Sequence, residues 1–365
     1  MTRLLVSLSP HGYGHAAMTA PLIEALRAVR PDLELILQTS TAPGWLKSRY
    51  AEPFQLIDQT PDFGMVMESA LKVLPEESHR RYLDLHARLE TVVEAEAALY
   101  ARLKPDLLLS NISYIALLAA RRAGIPAAAM SCLNWAEIYG AYCGHLPGAG
   151  AVVAQMNQAY ECAAFFLCPA PSLPMSVLSN IRPIGPLARR AVKRRPALLQ
   201  ALGAGEQEKI GLIGFGGMDA PLDYARWPRL PGWHWVLGNG TVSGREDMRL
   251  LADIPMSFSD LLASSDVCIG KPGYGTFTEA AVNGTPMLYL PRPDWPESPN
   301  LHKWLNDYGR ALPVALEEMF QSEALKNQLR TLFSMEIKPQ AQPTGIEEGV
   351  AALLPLLPPP QNMRM

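Results

Sequence analysis

The chain is poor in the features that would place it in most specialised classes. Its five cysteines, at 132, 143, 162, 168 and 268, are irregularly spaced with no CxxC pair. Neither a disulfide framework nor a thiolate zinc site is indicated, and they read as buried thiols. No apolar run approaches the roughly 20 residues that span a bilayer, and the start, MTRLLVSLSPHGYGH, lacks a long apolar segment with a cleavage site. A cytoplasmic protein is expected. The formal net charge of -3 supplies no general basic surface, so nucleic acid is not an expected partner. No DxD pair is present to hold a catalytic metal. What remains is a 365-residue chain, 48% hydrophobic and 18% charged, long enough for two domains with sizeable cores.

The densest signal lies at 266–292, DVCIGKPGYGTFTEAAVNGTPMLYLPR. Val267 to Gly270 reads as a buried strand, and Gly273 and Gly275 permit a tight turn and a close backbone approach to a ligand. Thr276 is expected to cap a helix that ends at Asn283 and Gly284, before a second buried strand from Met287 to Leu290. Glycines at the carboxyl end of a strand, opening into a helix whose free amides face the same crevice, suit a diphosphate. A nucleotide-type ligand is the first expectation.

Strands and helices alternate along most of the chain, which predicts an α/β fold with largely parallel sheets. Strand Leu4 to Leu8 is followed by a loop from Ser9 to His15, a helix from near Met18 to Val29 and strand Leu33 to Gln38. The charged span 76–102 has helical spacing, as one long helix or two shorter ones. Strand Leu107 to Ser110, a helix through Ala116 to Ala123 and strand Ala127 to Met130 form another βαβ unit. A proline-rich passage, CPAPSLPMSVLSNIRPIGPLARR, then suits a connection between domains. A second series begins at strand Lys209 to Phe215, which ends in the glycines 214, 216 and 217. It continues through strand His234 to Leu237 and helix Phe258 to Ser264 into the segment already described. The expected domains are 1–180, 181–345, and a tail of 346–365 with a short helix from Ile346. Trp233 and Trp235 flank His234 in the manner of sheet packing.

These segments resemble the two-domain, GT-B type nucleotide-sugar glycosyltransferases, with two Rossmann-like domains facing across a cleft. The similarity is greatest to the branch containing the N-acetylglucosaminyltransferase that completes the lipid-linked peptidoglycan precursor, a family 28-like enzyme. GYGTFTEA, from Gly273 through Tyr274, Gly275 and Thr276 to Glu279 and Ala280, is similar to the family's donor loop with its ribose-binding glutamate. GPLAR, ending at Arg189, is similar to a linker that supplies an arginine. PMSFSDLLASSDV, with Met256, matches the stretch whose main chain holds the base. HGYGH, spanning His11, Gly12, Gly14 and His15, resembles a glycine-rich loop carrying a histidine. GKPGYGTFTEA also resembles the glycosyltransferase-like half of plant arabinose kinases, although no sugar-kinase half is read in these residues. Tyr13 and Gly14 stand where the family has a double glycine, and RPDWPESPN, from Arg292 to Asn300, replaces its glutamine-rich sugar-contact motif.

The resemblance implies metal-independent, inverting transfer of a sugar from a nucleoside diphosphate sugar, uridine-based, to a hydroxyl acceptor. The acceptor is either a small molecule or lipid-linked. No resident cofactor is implied, because the nucleotide sugar is a co-substrate. His15 would take the acceptor's proton, its ordinary pKa near about 6.5 suiting a general base; the other reading is a helix-capping or core histidine. Glu279 would bond the ribose hydroxyls, against a TxxE capping box with Thr276. Gly216 and Gly217 would approach the diphosphate, and Glu297 and Asn300 the sugar hydroxyls, unless they form an ordinary polar loop. Asn111 and Asn134 follow first-domain strands and either meet a sugar or cap turns. The basic run Arg189 to Arg195 is a solvated linker face, or Arg189 reaches the diphosphate while the rest touch acidic headgroups of a membrane. A hydrolase or epimerase on the same fold, and a non-catalytic nucleotide-sugar sensor, are the rival readings.

Overall fold

The computed structural model describes residues 1–69, 72–215, 222–238, 240, 242 and 244–360. In chain order the elements of the first part are β1 (Thr2–Leu8), α1 (Gly14–Val29), β2 (Leu33–Gln38), α2 (Pro43–Lys47), β3 (Gln55–Ile57), α3 (Pro75–His86), α4 (Leu89–Leu103), β4 (Leu107–Asn111), α5 (Tyr114–Ala123), β5 (Ala127–Met130), α6 (Trp135–Cys143), α7 (Ala149–Tyr160), β6 (Phe166–Pro169) and β7 (Ile181–Ile184). The second part contains α8 (Arg195–Leu202), β8 (Lys209–Gly214), β9 (Trp233–Leu237), β10 (Met248–Leu250), α9 (Phe258–Ser264), β11 (Val267–Gly270), α10 (Tyr274–Asn283), β12 (Met287–Tyr289), α11 (Ser298–Tyr308), β13 (Ala311–Pro313), α12 (Leu316–Met319) and α13 (Ser322–Ser334). A last helix, α14 (Gly345–Leu353), follows.

The chain forms two compact units, one made of Met1–Glu68, Lys72–Leu187 and the chain from Thr344 onward, the other built mainly from Ala188–Pro343. The first holds a seven-stranded sheet in the order β3-β2-β1-β4-β5-β6-β7, and the second a six-stranded sheet in the order β10-β9-β8-β11-β12-β13. Every pairing within them is parallel. The apolar runs expected as buried strands are sealed: Leu4, Leu5, Val6, Leu107, Leu108, Leu109, Val267 and Ile269 have no exposed surface. Such two-sided burial is what helices on both faces of a parallel sheet require. Order reverses between β1 and β4 and between β8 and β11, and in doubly wound sheets the carboxyl ends of the strands at such a reversal are where ligands bind.

The structure decides some expectations and corrects others. The span 76–102 is two helices, broken at Ala87 and Arg88. The proline-rich passage contributes β6 and β7 to the first sheet, because proline is tolerated at an edge strand whose free side lacks a partner. The first unit therefore extends past residue 180 and reclaims the chain from Thr344 onward. Trp235 is fully buried, with its ring centroid 5.2 Å from that of Trp227 and 5.1 Å from that of Trp233, so this tryptophan group is sheet packing.

The return into the first unit depends on two glycines. A Cβ on Gly345 would sit 2.0 Å from the Gly185 carbonyl oxygen, and one on Gly185 would sit 2.0 Å from Thr344 Oγ1. Glu348 also accepts the Gly185 amide at 2.6 Å. The glycine of GPLAR is thus explained by packing within its own unit. Gly345→Ala should lower stability by about 1–3 kcal/mol, the usual cost of overpacking against an unyielding neighbour. Denaturant unfolding checks this, with Gly203→Ala excluded as a control because its φ of +67° is itself strained.

Candidate functional site

In the first unit, parallel pairing sets Leu8 beside Asn111, and the Ser9 amide donates to the Asn111 carbonyl at 2.8 Å. The chain then turns through Gly12, whose φ of 71° favours glycine, and enters α1 after Tyr13. Gly14 is exposed and opens the helix, and His15 lies in its first turn, not in the loop. The helix begins earlier than expected because the turn needs only the residues up to Tyr13, whose ring stacks on Trp45 at 4.4 Å.

His15 is 6% exposed. Its Nδ1 lies 2.9 Å from Asn111 Oδ1, while Asn111 Nδ2 donates to Thr19 Oγ1 at 2.7 Å and to the His15 carbonyl at 3.2 Å. With both amide hydrogens spent on oxygen acceptors, Oδ1 must face the imidazole. Nδ1 therefore carries the ring proton and Nε2 the lone pair. Burial lowers the His15 pKa to about 4, with the Asn111 bond opposing. The imidazole is neutral at pH 7, and its partner is an amide.

Trp135 packs beside both histidines, 5.6 Å from His15 and 5.1 Å from His11 between ring centroids. Its Nε1 donates to Ser9 Oγ at 3.0 Å, and Ser9 Oγ donates to Asp62 Oδ1 at 3.2 Å. Asp62 was not visible as a site residue in the sequence, since it lies far along the chain without a motif. Burial pushes its carboxyl up to about 6, while Ser113, Ser9 and the Tyr114 amide pull the other way. Gly64, two residues on, has no room for a side chain: a Cβ would be 2.7 Å from the Trp135 ring and 3.2 Å from His11 Nδ1. Asn134 is buried and its Oδ1 accepts the Glu137 amide at 2.8 Å, capping α6.

In the second unit, the site's frame is the junction of β8 and β11. Gly270 is backbone against backbone, since a Cβ there would lie 2.6 Å from the Gly214 carbonyl oxygen. Gly216 and Gly217 lie outside the described residues. After β11 the chain passes Lys271 and Pro272 to an extended Gly273 and enters α10 at Tyr274. No side chain caps this helix. Gly275 and Thr276 are inside it, so the capping box expected between Thr276 and Glu279 is not formed: the extended Gly273 already serves as the cap. Glu279 Oε1 instead accepts Ser259 Oγ from α9 at 2.9 Å. Met256 precedes α9, which Ser257 caps at the Asp260 amide.

The loop after β12 carries buried charge. Arg292, Trp295 and Glu297 are each 4–5% exposed; the Arg292 guanidinium lies 4.1 Å over the Trp295 ring, and Trp295 Nε1 donates to Glu297 Oε2 at 3.2 Å. Glu297 immediately precedes α11, and Asn300 lies half-buried within it. Arg189 is exposed, its carbonyl accepting Asn283 Nδ2 at 3.1 Å. Elsewhere in the basic run, Arg190 donates to Gln340 and Gln342, and Arg195 pairs with Asp266 at 2.7 Å. Much of the run is thus spent on its own unit. No helix among the described residues is long and apolar enough to cross a membrane.

No family model matches the chain. A curated relative, the L-arabinokinase of Arabidopsis thaliana, is 25% identical over 307 residues; the match covers 82% of this chain but 29% of that protein's length. Among solved structures, the glycotransferase of kitacinnamycin superposes with a TM-score of 0.61 at 17% identity, covering 98% of this chain and 99% of that one. TcCGT1 in complex with UDP gives 0.56 at 14% identity, with 96% and 98% covered. A candidate UDP-N-acetylglucosamine 2-epimerase from Listeria monocytogenes gives 0.59 at 13% identity, with 96% and 95% covered. The two parallel Rossmann-like sheets are the GT-B glycosyltransferase fold.

His15 and Asp62 respond to pH in opposite senses. Between pH 6.5 and about 4 the unfolded chain takes up a proton at His15 that the folded one refuses, so this group's contribution to stability is lost on acidification. Between pH 3.8 and about 6 the folded chain holds a proton on Asp62 that the unfolded one releases, so stability is lost as pH rises through that window. The two slopes oppose one another. Asp62→Asn should leave only the first: its stability should climb with pH from 4 to 6.5 more steeply than the wild type's in guanidinium unfolding. Equal slopes would refute the assignment of these protons.

Proposed function

We propose that the chain transfers a sugar from a nucleoside diphosphate sugar, uridine-based, to a hydroxyl acceptor, with inversion and without a metal ion. The observation that carries this reading is the entry to α10. The N-terminus of α10 lies at the carboxyl end of β11, beside the strand-order reversal, with Gly273 bringing no capping side chain, so the positive end of the helix faces the place a diphosphate would take. The GT-B fold supports it, as does the UDP held by one structural neighbour.

In this reading the second unit holds the donor. Backbone amides of Tyr274 to Thr276 face the diphosphate, Glu279 exchanges Ser259 for the ribose hydroxyls, and the stretch at Met256 holds the base. Glu297 and Asn300 shape the sugar end, and Gly216, Gly217 and Arg189 remain proposed contacts of the phosphates. The first unit supplies the base. His15 Nε2 accepts the acceptor's proton as that oxygen bonds to the anomeric carbon, and the pair of the breaking bond moves onto the phosphate oxygen. His11, Gly12, Gly14, Asn111 and Asn134 line or support the acceptor side. Since an amide, not a carboxylate, orients His15, the developing imidazolium gains orientation from Asn111 without a compensating charge.

Two measurements test the reading. Glu279→Ala should weaken uridine diphosphate binding by about 1–3 kcal/mol in calorimetry, the range of a hydrogen bond to a charged group. His15→Ala should lower turnover by about 10²- to 10⁴-fold while nucleotide affinity stays near that of the wild type. A folded His15→Ala protein with normal turnover sinks the base assignment. Wild-type cleavage of the donor that no acceptor accelerates would favour a hydrolase, and conversion of the sugar without cleavage an epimerase.

A further inference from the structure

Lys271 was not a candidate in the sequence, where it is merely the residue between a strand and a glycine loop. The structure gives it a distinctive setting. It directly follows β11, which is pinned to the neighbouring strand's end by the Leu290 amide donating to the Gly270 carbonyl at 2.9 Å. Two residues beyond Leu290 comes Arg292, held over Trp295, which in turn is tied to Glu297. Lys271, Arg292 and Glu297 thus form one cluster at adjacent carboxyl strand ends, two cations against one carboxylate. Glu297 is already bound by Trp295 and is not within salt-bridge reach of Lys271. Among the described residues Lys271 has no hydrogen-bond or ion-pair partner.

A half-buried ammonium with no hydrogen-bonding partner is costly to keep charged. Burial, then the Arg292 charge, lower the Lys271 pKa to about 8, with Glu297 opposing. Among the described residues these are the charged groups that act on it. An anion arriving beside the ammonium would return what burial removes.

Resting on the glycosyltransferase reading, we propose that Lys271 is a direct ligand of the donor's diphosphate and that its loss of a proton switches donor binding off. The ammonium would meet the oxygen that gains charge as the sugar leaves, a task that a metal ion performs in other transferases. It donates a hydrogen bond there and keeps its proton. Burial, helped by the Arg292 charge, keeps Lys271 near the point of deprotonation, so mildly alkaline conditions weaken the donor site without unfolding it.

Calorimetric titration of the full chain with uridine diphosphate and with inorganic pyrophosphate, at pH 7 and pH 9.5, tests this. Each unit by which the bound diphosphate raises the lysine pKa makes a difference of about tenfold in affinity. Wild-type affinity should therefore fall about tenfold between the two conditions. Lys271→Arg, charged at both, should lose much less. Lys271→Met should bind about tenfold more weakly at pH 7 and show no comparable fall. A wild-type affinity that does not change with pH, or a folded Lys271→Met protein that binds as the wild type does, overturns the proposal while leaving the nucleotide reading intact. A wild type that binds neither ligand at pH 7 overturns both.

Discussion

The amide of Asn111 is fully buried, so each of its hydrogens and its oxygen must find a partner inside the protein, and the chemistry of the first unit follows from which partners it finds. Its position is dictated by the sheet. Parallel register sets it beside Leu8, one strand end from the loop that starts α1. Thr19 and the His15 carbonyl take the two hydrogens, both from the first turns of α1, and the oxygen is left for the imidazole. One side chain therefore fixes the helix start, the ring's orientation and its tautomer together. The neutral character of that partner, combined with burial, holds His15 uncharged at physiological pH.

The second unit handles charge by a different arrangement. There a glycine, which brings no capping side chain, starts α10, and the nearby side-chain charges are packed into a loop through Trp295. The Arg292 charge over the Trp295 ring destabilises the charge of the lysine near it. In the proposed reaction the first unit would receive a proton and the second would accept negative charge. A transfer reaction that moves a proton one way and an electron pair the other needs both.

Most of the architecture could be read from the chain because its core strands are continuous apolar runs bounded by glycine and proline, a pattern that parallel sheets enforce. Val267–Gly270 and Leu33–Gln38 are found where the runs place them. Short strands such as β10 and β13, three residues each, carry too little pattern to be read, and β7 is hidden by its own proline. Within the candidate site, the local signals were legible and the tertiary ones were not. The strand-to-helix junctions declare themselves in sequence, although the helices start earlier than expected and take in Gly14 and Gly275, whereas Asp62, Trp135 and Lys271 acquire their settings only from segments far away. Thr276 shows the converse failure. TxxE satisfies the local grammar of a cap, but an extended glycine three residues earlier starts the helix first, and Glu279 turns to another helix.

The order in which the first unit is assembled along the chain has a consequence for biosynthesis. Its last helix, α14, covers α1 so closely that a Cβ on Gly349 would lie 2.9 Å from Leu22, yet residues 188 to 343 must be made in between. At ordinary elongation speeds that interval lasts roughly 8–30 s. Throughout it the newborn first sheet carries a bare apolar strip on α1, exposed to whatever else is folding nearby. The ribosome, by its pace, sets how long that vulnerable half-finished state endures.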